Sequence, residues 1–208
     1  MHFKFAEIRH IDEVLSAIEG RDAFIVKDAS ADGYKVVNYL LNTPDTFPTF
    51  TGDLGADRVA AVLRECRGIK FCSVTGNIVA RPFHKFFNWN EREESGPNHV
   101  SFEASHFILE KMDGSMLHPM RLHTGQTVWC TKMGPTDVAK LANDFLRDNP
   151  QYDKFAKWCY TQGELGWTPI FEFCSRRQRI VIDYPVEQMV LLAVRDNVTG
   201  EYIAYGDV

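Results

Sequence analysis

The chain has 208 residues, 45% of them hydrophobic and 25% charged, with a formal net charge of -5 at pH 7. This length and composition suit a soluble globular protein with one sizeable domain and a large core, or two small domains, and exclude a generic polyanion binder, because a nucleic-acid partner would need basic patches set in an acidic body. No apolar run is long enough to span a bilayer, and Met1-His2-Phe3-Lys4-Phe5-Ala6-Glu7 lacks the basic-then-apolar pattern of a signal peptide, so the expectation is a cytoplasmic protein with no membrane partner.

In chain order, Ile11, Val14, Leu15 and Ile18 fall at helical spacing, with Gly20 as a stop. A short strand from Ala23 to Val26 leads into a turn at Asp28 to Gly33, and Tyr34 to Leu41 reads as the next strand. Thr43 to Gly55, rich in Pro, Thr, Gly and Asp, reads as loop, and Val59, Val62, Leu63 and Cys66 line a short helix. A hairpin follows: Gly68 to Val74, a Thr75-Gly76-Asn77 turn, and Ile78 to Phe83. Strands are expected at Phe107 to Lys111 and Ser115 to Leu122, around Asp113-Gly114, and again at Thr127 to Thr131. Pro135-Thr136 opens a helix whose apolar side carries Val138, Leu141, Ala142, Phe145 and Leu146, and Tyr152 to Tyr160 forms another. Strand-like runs at Pro169 to Phe173, Arg179 to Asp183 and Met189 to Val194 close the chain, with Glu201 to Tyr205 as a candidate fourth. The five cysteines (Cys66, Cys72, Cys130, Cys159 and Cys174) are odd in number and form no C-x-x-C pair, so buried free thiols are expected rather than a zinc site or a disulfide framework. The sum is one α+β domain over residues 1–208, antiparallel strands with helices on their outer faces.

The chemistry centres on Glu110-Lys111-Met112-Asp113-Gly114-Ser115. A lysine attacks a phosphoanhydride only when its amine is uncharged, which requires desolvation or nearby positive charge. A strand end followed by a tight Asp-Gly turn can hold such a lysine against a nucleotide, with Gly114 allowing close backbone approach. Taken alone, K-x-D-G also fits a plain hairpin with a surface lysine.

It does not stand alone. Arg67-Gly68, Arg81-Pro82-x-x-Lys85-Phe86-Phe87-Asn88, Lys111-x-Asp113-Gly114-Ser115, Phe171-Glu172-Phe173 and Arg179-Ile180-Val181, in that order, resemble the bacteriophage T-even RNA ligase 1 family. Glu65 to Ile69, Ala80 to Glu91 and Val194 to Ile203 look like family segments, and the resemblance runs from about Tyr34 to Val208. It implies a covalent nucleotidyltransferase domain, ATP-grasp-like in its antiparallel sheets flanked by helices. In that family a lysine attacks the ATP α-phosphate and releases pyrophosphate; AMP then passes to an RNA 5′-phosphate, and a 3′-hydroxyl seals the strand. Lys111 is that nucleophile by resemblance. Arg67 and Lys85 become phosphate-binding cations, Glu172 the carboxylate at the ribose hydroxyls, and Asp113 and Gly114 part of the nucleotide turn. More loosely, Tyr39 falls near the nucleotide and Lys132 on the phosphate side. ATP and Mg2+ are implied, Mg2+ because ATP carries it; no metal-ligating residue is assigned. The implied partner is RNA with 5′-phosphate and 3′-OH ends.

Other residues stay open between two readings. Arg176, Arg177 and Arg179 suit an RNA-phosphate patch slightly better than a solvated loop. Arg67 and Arg81 could form surface ion pairs, and Phe86 and Phe87 read as core. Trp89 suits RNA stacking or burial equally, and His84 a hydrogen-bonded rather than catalytic histidine. Glu172, between two phenylalanines in a strand, should face away from the core that they fill, toward a pocket wall.

The pattern departs from the family at Arg176 and Gln178, where it usually carries proline and asparagine. The sequence also reaches Asp207-Val208 before the family's Glu-Gly-x-Val and Lys-x-Lys strands, so an incomplete domain is expected, with those strands supplied by a further segment or a second chain. The competing functions are a non-catalytic nucleotide- or RNA-binding fragment and an RNA-capping guanylyltransferase, which shares K-x-D-G; the Arg81 to Asn88 block favours the ligase.

Overall fold

The computed structural model describes residues 5–204, 206 and 207. Two four-stranded antiparallel sheets lie face to face, each covered on its outer side by a pair of helices. The first sheet has the order β1-β2-β3-β4, from β1 (Phe24–Ala29), β2 (Tyr34–Tyr39), β3 (Arg67–Cys72) and β4 (Ile78–Ala80). The second has the order β6-β5-β7-β8, from β5 (Ser115–Arg121), β6 (Thr127–Cys130), β7 (Trp167–Cys174) and β8 (Gln188–Asp196). Helices α1 (Ile11–Ile18) and α2 (Leu54–Glu65) cover the first sheet; α3 (Asp137–Asp148) and α4 (Asp153–Glu164) cover the second.

Strand periodicity explains the layering, since alternate side chains enter opposite faces. In β3, Ile69 and Phe71 join Val14, Val37 and Leu63 under the first helix pair, while Lys70 turns inward between the sheets and is buried. In β7, Phe171 and Phe173 pack beneath Phe145 and Cys159 of the second helix pair, leaving Glu172 on the opposite, inter-sheet face, as the alternation predicts. A small third cluster, Tyr34, Val36, Ala80, Met120 and Cys130, joins the two sheets. All five cysteines are free and buried.

Helix starts follow local chemistry. The Asp53 carboxylate caps α2 by accepting the Ala56 N–H at 2.8 Å, so this helix begins earlier than its apolar stripe indicates. At α1, Glu13 accepts the His10 N–H at 3.1 Å while His10 Nδ1 accepts that of Asp12 at 3.3 Å. Among the described residues, no helix is long and apolar enough to cross a membrane.

Two expected strands are absent. Residues 107–111 form exposed irregular chain, because the apolar side chains Phe107, Ile108 and Leu109 find no layer to cover them. Residues 179–183 are likewise irregular: the N–H groups of Val181 and Ile182 are taken by the Asp113 carboxylate, both at 2.7 Å, rather than by a neighbouring strand. The expected strand at Glu201 is reduced to one bridge, Arg195 to Tyr202, and Tyr205 lies outside the described residues.

A buried ionic knot fastens the first sheet to the second. The Glu65 carboxylate accepts from Arg81 Nε at 3.1 Å and from Arg195 at 2.7 Å, and both guanidinium groups are fully buried. Both also donate to main-chain carbonyls: Arg81 to those of Ala6, Asn197 and Val198, and Arg195 to those of Pro82 and Gly200. Arg81 is therefore no surface ion pair. The two arginines hold the Glu65 carboxyl below the usual carboxylate range, although burial pushes the other way. Gly200 has a φ of +76°, and a Cβ there would meet the Arg81 guanidinium at 2.5 Å, so glycine is required on both counts.

Candidate functional site

The sequence candidates converge where the two sheets meet. Arg67 opens β3 in the first sheet, and its guanidinium reaches across to Met116 Sδ of β5 at 3.9 Å. From the second sheet, Lys132, just past β6, sets its ammonium over the Tyr39 ring at 4.9 Å, at the end of β2. Tyr39 is braced by an edge contact with the buried Phe47, centroids 5.2 Å apart. The two segments touch as backbones: a Cβ on Gly68 would lie 2.4 Å from the Lys132 carbonyl oxygen, and Gly68 has a φ of +86°.

Lys85 joins the group from the extended segment after β4. It is almost fully buried, donates to the Phe86 carbonyl at 2.9 Å and lies 4.4 Å from the centre of the Phe87 ring. Phe87 is half-buried against Phe47, as core residues are. Phe86 is 55% exposed, a departure from its expected core role, and its ring takes the Arg67 guanidinium at 5.4 Å instead of joining the core.

The electrostatics describe a cluster of like charges. Burial lowers the pKa of Lys132, and repulsion from Arg67 lowers it further. Burial also lowers that of Lys85, with Arg67 and Arg92 adding repulsion against the attraction of Glu91. Such a cluster gains free energy when an anion enters it. Glu172 is the neighbouring acid. Burial pushes its carboxyl above the usual range, while the Gly114 N–H, Lys111 and Arg67 pull it back.

Lys111 is within electrostatic reach of this carboxylate, and its charge helps to hold the carboxyl down. Its side chain is exposed, on the irregular chain that enters β5. The Asp113-Gly114 pair that follows is fixed twice. Asp113 anchors the 181–184 segment, accepting from Val181 and Ile182 while its own N–H donates to the Tyr184 hydroxyl at 2.9 Å. These backbone donors hold its carboxyl below the usual range. Gly114 is needed because the chain passes so near β7 that a Cβ would stand 2.3 Å from the Phe173 carbonyl oxygen. Its close approach is to Phe173 and Glu172.

The arginine group lies on a short turn after β7 and is largely spoken for. Arg176 pairs with Asp183 at 2.9 Å, Arg177 grips Glu187 with two bonds of 3.0 Å, and Arg179 donates to the Val181 carbonyl at 3.2 Å. Trp89 is half exposed and rests on Phe102, centroids 4.7 Å apart. His84 bonds the Tyr202 hydroxyl through Nδ1 at 2.8 Å; burial lowers its pKa to about 3, so the ring is neutral. Among the described residues, no group of three or more His, Cys, Asp or Glu is gathered to hold a metal.

Sequence reading missed the Glu65-centred knot and the buried Lys70. Their available signal was charge inside otherwise apolar strands: Lys70 in Ile69-Lys70-Phe71-Cys72, and Arg195 following Leu191 to Val194.

The chain is similar in sequence to known proteins. The RNA ligase family model of the T4 RNA ligase 1 type matches residues 65–208. A protein of Thermovibrio ammonificans with a provisional RNA ligase name is 37% identical over 194 residues, which cover 93% of this chain and 46% of that protein. RNA ligase 1 of bacteriophage TS2126 is 27% identical over 204 residues, covering 94% of this chain and 47% of the phage protein. The chain thus spans about half the length of the curated relatives it matches. Among solved structures, an archaeal ATP-dependent RNA ligase superposes with a TM-score of 0.49 at 15% identity, over 93% of this chain and 44% of that one. The chain belongs to the RNA ligase family.

Proposed function

We propose that this domain carries out the nucleotidyl-transfer step of an ATP-dependent RNA ligase, with Lys111 as the nucleophile. The observation that carries the reading is the cluster Arg67, Lys85 and Lys132, in which Arg67 repels both partly desolvated lysines and Glu91 and Glu172 offset only part of the positive charge, with Arg67 laid against Phe86 and Met116 and Lys132 over Tyr39. A triphosphate supplies the missing negative charge. The three cations hold its phosphates, Tyr39 borders the nucleoside, and Glu172 accepts hydrogen bonds from the ribose hydroxyls. Bound nucleotide covers Lys111 and strips water from it, favouring the uncharged amine. The Lys111 Nζ then forms a bond to the α-phosphorus, the bond from that phosphorus to the bridging oxygen breaks, and pyrophosphate leaves with the electron pair. The ammonium proton passes to solvent. Charge building on the α-phosphate oxygens is stabilised by Arg67 and its neighbours, whose positions are fixed before reaction. AMP then moves to an RNA 5′-phosphate and a 3′-hydroxyl displaces it.

Asp113 is bound to backbone donors and Glu172 stands beside cations, so these carboxylates do not make a metal site of their own. Mg2+ would arrive with ATP. The arginine turn contributes at most a weak RNA contact, because Arg176 and Arg177 already have carboxylate partners.

The test is incubation with labelled ATP or GTP and Mg2+, followed by denaturing electrophoresis. Label retained from ATP supports the ligase reading. Preferential label from GTP supports a capping-type guanylyltransferase instead, and binding with no covalent label supports a non-catalytic nucleotide-binding domain.

A further inference from the structure

Between the sheets, directly behind the phosphate-side cations, lies the ammonium of Lys70, with 0% of the residue exposed. An ammonium has three N–H donors, and here three acceptors converge on it. They are the Gly68 carbonyl at 2.9 Å, the Lys132 carbonyl at 3.0 Å and His118 Nε2 at 3.0 Å. His118 is also fully buried, and its Nδ1 faces the Pro119 carbonyl at 3.2 Å. Nδ1 therefore carries the proton, and Nε2 presents its lone pair to Lys70. Burial together with the nearby Lys70 charge keeps the imidazole neutral.

No carboxylate completes this arrangement among the described residues; the charged and titratable groups around Lys70 are Lys27, Cys130 and His118. A buried cation met only by neutral acceptors is costly to maintain, and an apolar side chain between two sheets would avoid that cost. What the cation holds gives it a purpose. One carbonyl belongs to the residue after Arg67, and the other to Lys132 itself. Arg67 and Lys132 come from different sheets, and Lys70 fastens both backbones to one point. Lys27 Nζ adds a second tie to the same loop, donating to the Met133 carbonyl at 3.2 Å.

We propose that Lys70 is a positioning residue for phosphate recognition: by holding the carbonyls of Gly68 and Lys132, it fixes the separation at which Arg67 and Lys132 are presented to a polyphosphate. The proposal rests on the nucleotide-site reading above. Burial lowers the Lys70 pKa to about 8, which leaves the clamp protonated at neutral pH.

The experiment compares ATP and adenosine binding by calorimetry for the unaltered protein, Lys70→Met, Lys132→Met and the double variant. Thermal melts establish that each is folded. The expected result is an ATP affinity reduced about tenfold or more in Lys70→Met, in line with loss of a charge-assisted bond, with adenosine affinity unchanged within about twofold. Because the clamp acts by setting the Lys132 ammonium relative to Arg67, a separation that no longer matters once that ammonium is gone, its removal from the Lys132→Met background is expected to cost less than about threefold. Equal losses for ATP and adenosine, or effects that add fully in the double variant, overturn the clamp while leaving the nucleotide site standing. An unaltered protein that binds ATP no better than adenosine overturns the site reading and the clamp with it. Should Lys70→Met not fold, Lys70→Gln, which keeps an amide donor for one carbonyl, is read by the same criteria; failure of both to fold makes Lys70 a folding residue and overturns the proposal.

Discussion

The side chains around the site divide into those the fold needs and those it tolerates. Gly114 belongs to the first kind. Gly114→Ala forces a methyl against the Phe173 carbonyl, at 2.3 Å before relaxation, and is expected to destabilise the protein by about 1–3 kcal/mol. Urea denaturation measures this, and an unchanged midpoint would contradict the close approach. Glu172 and Arg67 are of the second kind. Burial already disfavours the ionised Glu172, so Glu172→Gln is expected to melt no lower than the unaltered protein while binding ATP more weakly. Arg67→Ala loses a ring contact and a weak sulfur contact, so its fold should persist. Its ATP affinity should fall by about tenfold or more, the scale of a charge-assisted hydrogen bond. Thermal melts paired with titrations decide both; loss of the fold with unchanged affinity per folded molecule would make these residues structural.

At the scale of elements, the Glu65 knot is the joint between layers. It gathers Glu65 from the end of α2, Arg81 from just beyond β4 and Arg195 from β8. Removing Glu65 leaves two buried guanidinium groups without their acid, a loss of about 3–5 kcal/mol. Glu65→Ala is therefore expected to lower the denaturation midpoint far more than an exposed change such as Glu19→Ala, and equal midpoints would show that the knot contributes nothing. The three segments that look locally like family segments, Glu65 to Ile69, Ala80 to Glu91 and Val194 to Ile203, each supply one member of this joint. Regular elements were legible because apolar periodicity sets which face is buried: both helix pairs and the inward face of Glu172 follow from it. Residues 107–111 and 179–183 misled because a β-rich apolar run becomes a strand only beside a partner edge, and among the described residues none lies beside these. Lys70 was invisible for a different reason. Besides the Gly68 carbonyl of its own strand, its partners are the Lys132 carbonyl just past β6 and the His118 imidazole of β5, and no spacing within β3 encodes those two.

At the scale of the whole molecule, burial keeps two of the described histidines neutral, lowering His84 to about 3 and His118 well below its ordinary value. The unfolded chain binds those protons below about pH 6.5 and the folded chain does not, so stability is complete above that pH and declines as pH falls toward 5. His118, fully buried, contributes up to about 1.4 kcal/mol per pH unit, and His84 adds to it. Melting temperatures between pH 5 and 7.5 test the sign; a protein more stable at pH 5 would contradict the buried neutral pair. On the proposed reading, function depends on the same seam between sheets, where Arg67, Lys85 and Lys132 would meet phosphate and Lys111 would take the AMP. The most direct test of that account is peptide mapping by mass spectrometry after incubation with ATP and Mg2+, on the unaltered protein and on Lys111→Ala. The account predicts one AMP adduct, on the peptide bearing Lys111, and none in the variant; an adduct on another lysine, or undiminished labelling of Lys111→Ala, would contradict it.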